Sequence, residues 1–159
     1  DYRIFGPSEV MKELNRRMVE QRLKGCLFAT CCYCLLNTRT LQLTFTRGGH
    51  PYPILIRKGQ EPVQIENRGS LLGVFNDTEF ETATVQLQRG DKFLLYSDGA
   101  EPVIGTVDDH QEFLYTDAFR SIMNFPVKQM MKELESLVKN EKWQGYGEDD
   151  MTAVGLEIL

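Results

Sequence analysis

Apolar and polar positions change period several times along the chain, and each change marks an element. After Pro7-Ser8, Val10, Leu14 and Met18 recur at i, i+4 and i+8, with Ser8 placed as N-cap and Glu9 in the first turn. This spacing predicts one amphipathic helix ending near Gly25. From Cys26 the period shortens: Leu27 to Leu36 is rich in strand formers, Asn37 to Thr40 turns, and Leu41, Leu43 and Phe45 alternate with polar neighbours. Strands are further expected at Pro53–Arg57, Val63–Ile65, Thr82–Leu87 and Lys92–Tyr96, with a shaped loop at Asn67–Gly73. Gly99 to Gln111, carrying Pro102, Gly105 and Asp108-Asp109, reads as a mobile surface loop. Short helices follow at Thr116–Met123 and after Pro126, where Val127, Met130, Leu134 and Leu137-Val138 form an apolar stripe. A last strand covers Met151–Ile158. The expected class is α+β, with antiparallel β-sheets flanked by helices.

The chemistry collects at two of these strands. Phe93 to Tyr96 are bulky and bounded by Gly90-Asp91 and Asp98-Gly99, so the Asp98 carboxylate closes a buried strand. Glu148-Asp149-Asp150 opens the last one. If the two strands pair antiparallel, the end of the first lies beside the start of the second, bringing Asp98 near Asp149 and Asp150. Clustered carboxylates repel unless a cation neutralises them, and hard oxygen donors suit Mg2+ or Mn2+. Taken singly, each motif is also a common turn or cap; their pairing is what favours a site.

Composition narrows the classes. The chain has 159 residues, 42% hydrophobic and 26% charged, enough for one domain with a sizeable core. A net charge of -5 without a large Lys/Arg block argues against a nucleic-acid surface. No run of about 18 apolar residues suggests a membrane span, and no leader pattern is present. Cys26, Cys31, Cys32 and Cys34 lack CxxC or His spacing, which argues against zinc; they read as free thiols in a reducing cytoplasm, Cys32 and Cys34 on one strand face and Cys31 on the other. His50 stands in a Gly-Gly-x-Pro turn, which favours a structural role over that of a general acid or phosphate contact. Arg47 and Arg57 read as solvated strand ends rather than phosphate ligands.

The order of segments resembles a family. Ser8–Asn15, Phe45–Pro51, Leu72-Gly73, Gly90–Gly99, Gln111–Phe113 and Asp149–Thr152 follow one another as in the SpoIIE-like bacterial metal-dependent serine/threonine phosphatases, a branch of the type 2C superfamily. The resemblance implies an α/β/β/α sandwich, here a single domain over residues 1–159 lacking its N-terminal strands. It implies metal ligation by Asp98 and Asp149, with Asp150 as neighbour, and Mn2+ or Mg2+ as cofactor, two ions in the complete domain. Two such ions about 3.5 to 4 Å apart clamp a phosphoryl group and activate water for in-line attack, which needs no side-chain nucleophile. The substrate implied is phosphoserine or phosphothreonine on a regulatory partner of the anti-sigma-factor-antagonist type, with a receiver or sensory domain upstream. Glu101 stands three residues after Asp98 where the family carries an acid at four, and the family's first Asp-Gly is missing from this sequence. The chain as given is therefore expected to be a poor or inactive catalyst with an exposed sheet edge, to be covered by forming a homodimer or by pairing with a neighbour. The rival reading is a catalytically degenerate phosphatase-like module that binds or sequesters a protein.

Overall fold

The computed structural model describes residues 3–21, 28–139 and 150–159. They fall into two compact units, Asp1–Tyr52 with Ile65–Gln88, and Pro53–Gln64 with Arg89–Leu159.

In the first unit, helix α1 (Pro7–Gln21) lies on a three-stranded antiparallel sheet of order β1-β2-β5, formed by Cys31–Asn37, Gln42–Gly48 and Thr82–Gln86. The helix begins two residues earlier than a Ser8 cap implies. Pro7 takes its first position, where a missing N–H costs nothing, and the Glu9 carboxylate reaches back to accept from Gly6 N at 2.9 Å. Its buried face is Pro7, Met11 and Asn15, so Leu14, expected inside, is 38% exposed. Asn15 takes an inward position because its amide holds a loop: it donates to Phe75 O at 2.8 Å and accepts from Gly73 N at 2.8 Å. A buried polar side chain is tolerated when so satisfied. Met11 packs with Leu72 and Phe80.

The second unit is built on a four-stranded antiparallel sheet of order β4-β3-β6-β9, formed by Val63–Gln64, Ile54–Ile56, Lys92–Tyr96 and Ala153–Glu157. Its core joins Ile54, Ile56, Leu94 and Tyr96 to Phe119, Ile122, Met130 and Leu134 of helices α3 (Asp117–Ile122) and α4 (Val127–Lys139). Gly90, at φ 86°, makes the turn into β6 in a backbone region that side chains with a Cβ disfavour.

The stretch after Asp98 departs from the expected loop. A 3-10 turn (Asp98–Ala100) runs into helix α2 (Glu101–Ile104), and β7 (Gly105–Val107) pairs with β8 (Phe113–Tyr115). The reason lies in Ala100, Val103 and Ile104: at i, i+3 and i+4 they bury a small apolar face completely in the core, while Pro102 sits in the first turn, where it is compatible with a helix. Thr116 then caps α3, accepting from Phe119 N at 3.0 Å.

Candidate active site

The two acidic strand ends are brought together by one register. β6 and β9 run antiparallel, with Lys92 opposite Glu157, Leu94 opposite Gly155 and Tyr96 opposite Ala153. Beyond the last ladder pair, Ser97 continues the zip through its backbone and side chain. Its N–H donates to Thr152 O at 2.8 Å, its Oγ accepts from Thr152 N at 2.9 Å, and its hydroxyl donates to Asp150 O at 3.3 Å. The chain just after β6 and the chain just before β9 are thereby tied at the level where the acids begin.

Asp98 opens the 3-10 turn, is exposed, and accepts from Gly99 N through Oδ1 at 3.0 Å. One turn on, Glu101 lies at i+3, which in a 3-10 turn places it on the face of Asp98. Its carboxyl is raised above the ordinary carboxylate range, first by burial and second by the negative charge of Asp98. Asp150 is exposed at the other strand end. Asp149 and Glu148 lie outside the described residues, so of the expected acidic neighbourhood the structure places only Asp150, whose backbone oxygen is held by Ser97, the residue before Asp98. Beneath the turn, Tyr96 is buried and accepts from Gln64 Nε2 at 3.1 Å; burial pushes its hydroxyl up to about 12.

Among the described residues, no three His, Cys, Asp or Glu side chains form a cluster able to hold a metal ion. The donors that are present nevertheless suit a hard divalent cation. They are carboxylates, two of them exposed at tied strand ends, and the half-buried Glu101 already feels the charge of Asp98, a repulsion that a cation would relieve.

The other polar residues singled out in the sequence turn out to hold structure. Arg57 and Asp91 form a two-pronged ion pair, Nε to Oδ1 at 2.9 Å and Nη2 to Oδ2 at 2.7 Å, with the Asp91 side chain 2% exposed. Arg47 donates to His50 O at 2.5 Å and Asn67 O at 2.9 Å and lies over the Tyr52 ring at 4.2 Å. Both arginines are thus engaged, where solvated strand ends were expected. His50, half-buried, has its Nδ1 3.3 Å from Pro51 O. Cys31, Cys32 and Cys34 are free thiols, and Cys26 lies outside the described residues. What sequence reasoning missed was Ser97 with Thr152. The available signal was a hydroxyl residue directly before Asp-Gly and a second one just before the final strand.

Comparison with known proteins gives this geometry a lineage. Residues 2–159 match the family model described as Stage II sporulation protein E (SpoIIE). Over 94 residues the chain is 34% identical to the phosphoserine phosphatase RsbU of Bacillus subtilis (strain 168), a match covering 58% of this chain and 28% of RsbU. The fold is similar to that of the RsbU and RsbW domains of Rv1364c from Mycobacterium tuberculosis, with a TM-score of 0.70, 20% identity, and coverage of 96% of this chain and 42% of that one. It is also similar to the manganese-presoaked phosphatase domain of SpoIIE from Bacillus subtilis, with a TM-score of 0.60, 20% identity, and coverage of 94% and 65%. At such identities the structural likeness is one of fold, and it bears out the α+β class with antiparallel sheets. With the family model covering nearly every residue, the chain belongs to the Stage II sporulation protein E (SpoIIE) family.

Proposed function

We propose that the chain serves a metal-dependent protein phosphatase that removes phosphate from phosphoserine or phosphothreonine on a regulatory partner of the anti-sigma-factor-antagonist type. The observation that carries this reading is the tie, made by Ser97, between the end of β6 that leads into Asp98 and the segment from Asp150 that leads into β9. The family match and the likeness to RsbU support the reaction class, and the manganese-presoaked relative supports the choice of Mn2+ or Mg2+.

In this reading Asp98, Asp149 and Asp150 hold the divalent cations, which when bound offset phosphoryl charge and lower the pKa of water. The chain's own part is placement. The Gly99 amide fixes one oxygen of Asp98 and leaves the other to face a ligand. Ser97 sets the height of the Asp150 segment against it. The core under Tyr96, Ala100 and Val103 keeps the turn from shifting. No side chain has to form a bond to phosphorus. The enzyme is proposed to act in the cytoplasm, with a receiver or sensory domain upstream.

The test is Asp98→Asn in the full-length protein, which carries the upstream segment, assayed by manganese-dependent phosphate release from a phosphoserine peptide, with circular dichroism as the fold check. Removing one ligand charge is expected to lower turnover on the order of a hundredfold or more, with the fold retained. A folded Asp98→Asn protein that turns over like the parent would overturn the proposal.

A further inference from the structure

Three thiols stand on β1, and the proposed phosphatase site uses none of them. Alternation along the strand separates them by face. Cys32 stands opposite Arg47 and Cys34 opposite Phe45, whereas Cys31 stands opposite Gly48 on the helix-covered side. On the shared face, Cys32 Sγ and Cys34 Sγ lie 3.9 Å apart in an S–H···S contact. Both residues are half-buried, and β1 is an edge strand of its sheet, so the pair lies at a rim.

We infer that Cys32 and Cys34 form a bidentate binding site for a soft, thiophilic metal ion. The separation carries the inference. With metal–sulfur bonds of about 2.3 Å, two sulfurs 3.9 Å apart subtend an angle of about 116° at the ion, between tetrahedral and trigonal. An ion therefore fits with the backbone as it stands. A disulfide fits worse: residues i and i+2 of an extended strand have Cα atoms about 6.6 Å apart, near the upper end of what the bond spans, and the sulfurs would have to close to about 2.05 Å.

The donor set gives the chemical class. Among the described residues, no His, Asp or Glu joins the pair to make a three-residue cluster, so the site offers two thiolates and open positions. Thiolates prefer copper(I), zinc or cadmium to magnesium or manganese, which separates this site from the carboxylates near Asp98. Charge helps the first deprotonation. Within the pair one thiol donates to the other, so the Cys34 thiol falls below its ordinary range while the Cys32 thiol rises. The Arg47 guanidinium opposes that rise, and its buried Nε has no hydrogen-bond partner. Binding is an exchange without redox change: two thiol protons leave and one ion takes their place on the two sulfurs.

Cadmium titration of the reduced protein without oxygen, followed by the thiolate-to-cadmium charge-transfer band, tests this. The expected result is one ion on two thiolates per chain, undisturbed by excess Mg2+. Cys32→Ser and Cys34→Ser should each weaken binding on the order of a hundredfold, because the second sulfur no longer acts at high local concentration. Cys31→Ser and Cys26→Ser should bind as the parent does. The inference is overturned if Cys34→Ser binds as tightly as the parent, if Cys31→Ser loses as much as Cys32→Ser, or if the band intensity corresponds to one thiolate per ion. A loss of two titratable thiols on exposure to air, abolished by Cys32→Ser, would identify a disulfide pair instead and overturn it equally.

Discussion

Ser97→Ala isolates the tie between the two acidic strand ends. The substitution removes one hydrogen bond of 2.9 Å from Thr152 N and one of 3.3 Å to Asp150 O, while the backbone bond from Ser97 N to Thr152 O at 2.8 Å survives. A neutral hydrogen bond contributes about 1 kcal/mol net, and the longer of the two less. Thr152 and Asp150 are exposed, so water replaces the lost partner and the heavier penalty for a buried orphan does not apply. The expected cost is about 1 kcal/mol for opening of the 150–152 segment, or roughly a fivefold rise in its open population. Amide hydrogen exchange read by NMR is the direct assay. Thr152 should exchange about fivefold faster in Ser97→Ala, while Leu94, at the centre of the β6 ladder, keeps its protection. Ser97→Thr, which retains the hydroxyl, should restore slow exchange. Turnover should fall by no more than the same factor, since Ser97 holds a strand and touches no reacting group. Unchanged exchange at Thr152, or equal acceleration in Ser97→Thr, would refute the reasoning.

Two further predictions concern the core that supports the site. A Cβ at Gly155 would lie 2.6 Å from Val127 Cγ2 and 3.0 Å from Met131 Sδ, so Gly155→Ala should push α4 from the sheet and cost about 1 to 3 kcal/mol by urea denaturation; a neutral result would mean that α4 shifts freely. Lys92 is 6% exposed, donates to Met123 O at 2.7 Å, and has its pKa lowered by burial, partly offset by Glu157. Between its folded pKa and 10.5 the unfolded chain holds a proton that the folded one has released, so stability rises with pH across that window. Urea midpoints measured against pH should show this rise in the parent and not in Lys92→Met, and parallel curves would show that Lys92 keeps its ordinary titration when folded.

Most elements were legible in the sequence because their signal is local. Alternation over 82–87, the bulky run before Asp98 and the stripe after Pro126 each depend on neighbours within a turn or a strand, and each became β5, β6 and α4. The antiparallel partnership of β6 and β9 was also foreseeable, since acid ended one strand and began the other. What the local signals could not settle was which surface each segment would cover. Glycine, proline and acidic residues made 99–111 read as a loop, yet burial of Ala100, Val103 and Ile104 in the core outweighs those weak local preferences and makes a turn, a helix and a strand. Likewise Leu14 stands outside and Asn15 inside, because the loop at Gly73–Phe75 presents a backbone donor and acceptor that only a polar side chain satisfies. The sequence by itself determined which residues carry the candidate chemistry, for Asp98, Asp150 and the cysteines are fixed in type and spacing along the chain. Tertiary structure alone decided the register by which Ser97 meets Thr152, the engagement of Arg47 and Arg57, and the distance between two sulfurs, because each rests on groups set by pairing and packing rather than by sequence pattern.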